Sequence, residues 1–321
     1  MDKKLPVIIL IVVAFSPPIV WDLFGFGSES SLGAAETIRP MSLFNQVVVV
    51  FTAFILKPLH MLISIILAWL LRKTRNPDVI AMRWGLLALF IGEAFCAMNY
   101  LVFRDQSCFV EYLHSFGMVV SFGFIAYALL EGLDRRIIQY SNPQKQCAFI
   151  SLCASCIKTQ AVPCRVRKLF LLASLALSLL VFIPLITKIN EISYNTYIFG
   201  TLYNYNWLKV NQLFEIRYSP LLALVMFLST FIILQRSKEQ LTPNLVHIFL
   251  SAGIGALGLG FFRLILGSIY AYNLSWADSW EEITEFLLMI IITYILWLFR
   301  QRLGISIGYL CIHDRTAPHK G

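Results

Sequence analysis

Residues 92–114 read GEAFCAMNYLVFRDQSCFVEYLH, which sets carboxylate, thiol, amide and imidazole groups into otherwise apolar chain. Glu93, Cys96 and Tyr100 recur at i, i+3 and i+7 and so share one helical face. Asn99 lies beside them. Glu111 and His114 follow in Glu-x-x-His spacing, which puts a carboxylate and an imidazole one turn apart, as in the di-iron sites of helix bundles. A single copy of that spacing also occurs by chance. Lys57, Pro58 and His60 interrupt another apolar run, Arg263 a third, and Glu282 and Glu285 open the last one. Ionisable groups within such runs are costly in a bilayer and are functional candidates by default. Lys57, His60, Glu93, Asn99, Glu111, His114, Arg263, Glu282 and Glu285 are therefore the expected lining of a polar cavity that binds a metal, a quinone or a small substrate.

Each of these residues also has a plainer reading. Lys57 can extend its stem to the membrane surface. Glu93 can form a structural ion pair with Lys57, His60 or Arg263. Carboxylates in the first turn of the last helix suit the free amides and the dipole there. A haem fits poorly, because the helical rise sets His60 roughly 10 Å deeper than His114.

A second candidate site is the spacing C-x5-C-x2-C-x7-C formed by Cys147, Cys153, Cys156 and Cys164. Four thiolates can hold zinc or an iron–sulfur cluster, although this spacing matches neither the ferredoxin run nor a paired C-x2-C ribbon. Acylated or redox-active thiols, or small apolar residues on an interfacial helix, are the alternatives. The chain has no GxSxG, P-loop, kinase signature, HExxH or C-x-x-C-H, which removes several enzyme classes.

The elements that must position these groups follow from composition. Of 321 residues, 58% are hydrophobic and 14% charged, against about a quarter charged in soluble domains. The apolar residues come in long runs, so the expectation is an all-α, polytopic transmembrane bundle of about eight helices forming a single integral domain over 1–321. MDKK followed by LPVIILIVVAF, residues 1–15, has the shape of a signal peptide, and its cleavage would leave seven helices. The apolar character continues past Pro17 and Pro18, which favours an uncleaved first helix. The others fall near 47–71, 79–103, 109–133, 169–186, 220–234 and 246–270, with a last one ending at Arg300. Pro58 should kink the first of these, while Gly117, Gly123, Gly253, Gly255, Gly258 and Gly260 should let helices approach closely.

The formal net charge is +8, but the basic residues cluster in short connections such as RKTRNPD, DRR and RVRK. That pattern marks the retained side of a membrane rather than a nucleic-acid surface. It predicts an inner-membrane protein with both termini cytoplasmic, a cytoplasmic cysteine-rich loop over 134–168, and an outer aromatic connection over 190–219 that forms an interfacial helix or lid. His247 should then be a surface histidine at the inner mouth. Lipid is the implied partner, together with other membrane or cytoplasmic subunits. A redox or metal-dependent role leads, ahead of a transporter or small-molecule binder and of a sensor or assembly subunit acting through a partner.

Overall fold

The computed structural model describes residues 38–103, 107–140, 147–148, 165–207, 210–236 and 242–300. Among these, six helices are long and apolar enough to cross a membrane: α1 (Leu43–Lys73), α2 (Pro77–Leu101), α3 (Cys108–Ile138), α4 (Val166–Ile186), α5 (Asn211–Arg236) and α6 (Asn244–Ile269). A further helix, α7 (Leu274–Leu298), packs against α1. The chain is thus a helical bundle built as a membrane protein. Its outward faces carry large exposed apolar side chains, among them Phe54, Ile66, Trp84, Leu172, Val225 and Ile265, which suits contact with lipid. The run 5–21 lies outside the described residues.

Local sequence explains where the helices start and where they deform. Ser107 caps α3 by accepting from the amide of Val110, and Asn273 caps α7 by accepting from that of Trp276. Pro77 opens α2, where its missing N–H costs nothing. Inside α1, the expected disturbance at Pro58 takes the form of a π-helical turn, Thr52–Leu56, ending in a bond from Lys57 N to Thr52 O. Proline cannot donate, and its ring crowds the preceding turn, so the backbone widens just before it. The same device recurs in α5, where the π turn Phe214–Tyr218 precedes Pro220.

Glycine sets the closest helix contacts. Gly92 of α2 meets Gly117 of α3 so closely that a Cβ on Gly117 would lie 2.8 Å from Gly92 Cα. Gly255 of α6 meets Gly123 of α3, where an added Cβ would lie 2.4 Å from Gly123 N. Of the other glycines expected to serve as packing surfaces, Gly253 abuts Phe227 and Gly260 abuts Pro220, while Gly258 faces open space.

Two expectations are corrected here. The aromatic connection is a β-hairpin over most of its length rather than an interfacial helix: β1 (Ile192–Ile198) pairs antiparallel with β2 (Thr201–Trp207). The two-residue turn has φ of 48° at Phe199 and 84° at Gly200, as a type I′ turn requires. The N-terminal side of α1 joins it, with Arg39 N donating to Asn195 O at 2.8 Å. His247 is buried rather than superficial, and its Nδ1 lies 2.8 Å from Glu131 Oε2. In the 134–168 segment only Cys147 of the four cysteines is described. Its thiol is buried and in no disulfide, while Cys153, Cys156 and Cys164 lie outside the described residues.

Candidate functional site

Below the hairpin, the ends of α1, α2, α3, α6 and α7 enclose a cavity of about 380 Å³. Its floor and walls include Lys57, Cys96, Glu111, His114, Arg263 and Glu282, and its roof includes Tyr203, Tyr205 and Trp207. Under the floor lies a second layer in which His60, Glu93 and Glu285 are buried.

The Lys57 ammonium joins the two layers, 2.6 Å from Glu93 Oε2 and 2.7 Å from Glu282 Oε1. The π turn in α1 delivers Lys57 to this position, and α7 brings Glu282 and Glu285 one turn apart on its buried face. His60 sits between them. Its Nε2 is 3.4 Å from Glu285 Oε2 and 3.9 Å from Glu93 Oε2, and its Nδ1 is 3.6 Å from Glu282 Oε2. Yet neither ring nitrogen makes a hydrogen bond, and the facing oxygens of Glu282 and Glu285 accept none. His114 Nδ1 lies 3.0 Å from Gly92 O and 3.6 Å from Glu93 Oε1.

These positions bring His60, Glu282 and Glu285 together so that one ligand atom of each lies within 4.8 Å of the others. Glu93, Cys96 and His114 form a second triplet of the same kind. Atoms sharing one tetrahedral ion stand roughly 3.3 Å apart, from bonds of about 2.0–2.1 Å.

Charge places a demand on the same groups. Around Lys57 stand three carboxylates, those of Glu93, Glu282 and Glu285. With all three ionised the group is two positive charges short, and buried uncompensated charge costs several kcal/mol per ion. Protons on the carboxylates and histidines, or one divalent cation, supply that difference.

Several pairings differ from those the sequence suggested. Arg263 does not meet Glu93 or Glu285. It donates through Nε to Glu215 and bidentately to Glu281, at 3.0 and 2.9 Å. Glu215 also accepts from Ser115 Oγ at 2.6 Å. Glu282 and Glu285 turn to His60 and Lys57. Glu111 and His114 do not act as a pair: Glu111 accepts from Asn99 Nδ2 at 2.6 Å and Asn211 Nδ2 at 2.9 Å, while His114 faces Glu93. His60 and His114 flank the carboxylate of Glu93, one at each oxygen.

The sequence reading missed Glu215 and Asn211, and offered the roof only as one of two alternatives for the aromatic connection. Glu215 sits in the aromatic connection, where a lone carboxylate reads as solvent-facing. Its signal was Pro220 five residues on, the same proline-proximal placement that marks Lys57 before Pro58. In the roof, burial pushes the Tyr205 phenol well above its ordinary value, so its hydroxyl remains a donor at neutral pH. Neither Tyr205 Oη nor Trp207 Nε1 has a hydrogen-bond partner.

Fold and site together define a helical membrane protein with an acidic, largely buried chamber beneath a β-hairpin. Comparisons with protein-family models, with curated proteins and with solved structures found no match.

Proposed function

We propose that this chain is a multi-pass inner-membrane protein that holds one divalent metal ion in its buried chamber, on His60, Glu282 and Glu285. The observation that carries the reading is His60, fully buried, with both ring nitrogens unbonded among three carboxylates. An imidazole placed so gains nothing from its neighbours unless it is charged or shares a cation with them. One imidazole with carboxylates suits a borderline ion such as Zn²⁺, Mn²⁺ or Fe²⁺. Such an ion would polarise a substrate oxygen or lower the pKa of bound water.

In this reading Glu93 and Lys57 act on the metal from outside its ligand set. Lys57 holds Glu93 and Glu282 apart and matches part of their charge. His114, held at Gly92 O, is placed to exchange a proton with Glu93 or with a molecule in the cavity. The hairpin lies on the outer side and both termini lie in the cytoplasm, as the basic connections indicate.

A second reading rests on Lys57 itself. An ammonium bridging two chamber carboxylates is a tethered cation that an incoming ion could displace, as in exchange transport. For the cysteine loop we keep a separate proposal, that Cys147, Cys153, Cys156 and Cys164 bind zinc on the cytoplasmic side.

The test is metal analysis of protein purified in detergent and dialysed against Zn²⁺, with His60→Ala and Glu285→Gln beside it. One equivalent of zinc present in the parent and lost in both variants is the expected result. Equal zinc in all three overturns the chamber site. A second equivalent, lost only when the four cysteines become serine, is the expected result for the loop. If metal is bound and vesicles holding the protein also accumulate ⁶⁵Zn²⁺ against buffer, the exchange reading gains over a resident ion.

A further inference from the structure

The cavity has two unlike sides. Toward α6 and α7 it is charged and hydrogen-bonding, but between α1 and α2 its wall is apolar, formed by Ala53, Phe54, Met61, Ala97 and Leu101. Phe54 and Leu101 are also 65% and 74% exposed on the outer face of the bundle. The same side chains therefore line the cavity and face the surroundings, and the surroundings of this face are lipid. The cavity opens sideways, through a cleft beside the π turn of α1, into the hydrocarbon rather than only upward past the hairpin.

The polar side is also specific in its chemistry. Glu111 presents a carboxylate to the cavity whose oxygens, among the described residues, accept from the neutral amides of Asn99 and Asn211. Tyr100, Tyr203, Tyr205 and Trp207 stand around the same space. Aromatic faces grouped beside a carboxylate recognise ammonium groups.

We infer that the cavity takes a long-chain amphiphile from the bilayer, its chain lying in the α1–α2 cleft and its head carrying an ammonium group. The ammonium sits against Glu111 within the aromatic wall. Lys57, Glu282 and the metal proposed above lie directly beneath, so the head is held over the reactive floor. This assignment rests on the metal reading only for what happens to the head once bound.

The test uses the full chain in phosphatidylcholine nanodiscs and three probes: 2-aminohexadecan-1-ol, hexadecanoate and ethanolamine. Retention of radiolabelled probe above that of empty nanodiscs gives the affinity, and metal content is measured on the same samples. The expected result is at least tenfold tighter binding of the amino alcohol than of either other probe. Ala53→Trp, at an exposed position on the cleft, should lower that binding at least tenfold and leave bound zinc unchanged. Glu111→Gln should also lower it and leave zinc unchanged. Equal binding of ethanolamine, with no effect of Ala53→Trp, overturns the lipid-side entry. Tighter binding of hexadecanoate overturns the assignment of the head. Amphiphile binding without zinc sinks the metal reading alone, and zinc without amphiphile binding sinks this inference alone.

Discussion

Helix α3 carries a polar cluster near each end, and the two are built on opposite plans. Near its start are His114 and, across the bundle, His60 and Glu93. Near its finish are Glu131 and Asp134, about five turns away. At the far end most of the groups complete one another, Asp78 Oδ1 being the exception. Glu131 takes His247 at 2.8 Å on one oxygen and Arg135 on the other; Arg136 donates twice to Asp78 Oδ2, at 2.9 and 2.7 Å; and Tyr140 N donates to Asp134 Oδ1 at 2.6 Å. In the chamber both nitrogens of His60 and the facing oxygens of Glu282 and Glu285 stand within 4 Å of each other without bonding. A satisfied buried network rigidifies a fold, whereas an unsatisfied one lowers its stability unless something else completes it. The far cluster thus reads as a clasp between α3, α6 and α2, and the chamber as a site whose partners are not all in the chain.

Mutation should separate the two plans. The largest effect is expected at Lys57. Lys57→Met leaves Glu93 and Glu282 without their shared ammonium, and removing one partner of a buried ion pair costs about 3–5 kcal/mol. The variant should unfold well below the parent in chelator, but recover when Zn²⁺ is added, since a ligand at 100 times its Kd returns about 2.7 kcal/mol. Thermal unfolding in detergent, with chelator and then with zinc, measures both. A loss that zinc does not recover would mean that the chamber is a clasp of the same kind as the far cluster.

Arg263 comes next. It holds Glu215 and Glu281 together across α5, α6 and α7, so Arg263→Met should cost a similar amount, about 3–5 kcal/mol, with no recovery by zinc. Arg263→Lys keeps the charge but loses the forked geometry and should recover part of the loss. If zinc rescued Arg263→Met as well as it rescues Lys57→Met, the two groups would belong to one site. At the far end His247→Ala removes one of two partners of Glu131. It should cost about 1–3 kcal/mol while leaving zinc and amphiphile binding at parental levels. Altered zinc binding in that variant would break the contrast between the two ends.

The sequence displayed the chamber's residues more clearly than their pairings. Nine candidate positions were legible because a charged or amide side chain in a long apolar run stands out. The structure brings Lys57, His60, Glu93, His114, Glu282 and Glu285 into one chamber, with Glu111, Asn99 and Arg263 at its edge. What the sequence could not show was which partners they take. That depends on helix rotation and on two π turns, which displace Lys57 and Glu215 from where an ideal helix would put them. Glu215 was overlooked and His247 misjudged for a related reason. Both lie close to hydrophilic connections, and distance from the end of an apolar run does not reveal that a neighbouring helix covers the side chain. The hairpin escaped because its tyrosines and tryptophan match the composition of an interfacial belt. The alternation in ISYNTYI and TLYNYNW, separated by Phe-Gly, was the signal that favoured strands.

That turn supplies the smallest expected effect and the cleanest test of how the roof is held. Gly200 has φ of 84°, and a Cβ there would meet nothing within 4 Å. Gly200→Ala therefore removes no contact and adds no clash; it only imposes a side chain on left-handed backbone. The cost should be about 1 kcal/mol, confined to the hairpin. The roof residues Tyr205 and Trp207 sit at the other end of β2, anchored by packing of Trp207 on Gly267 and of Tyr205 against Tyr194. Fraying at the turn should therefore leave amphiphile affinity within about twofold of the parent, since 0.4 kcal/mol is about that factor. Hydrogen exchange should quicken at Ile198 and Thr201 but not at Tyr205. A tenfold loss of affinity from this one methyl group would show instead that the whole hairpin closes over the cavity as a unit, with its turn as the part that sets the closed position.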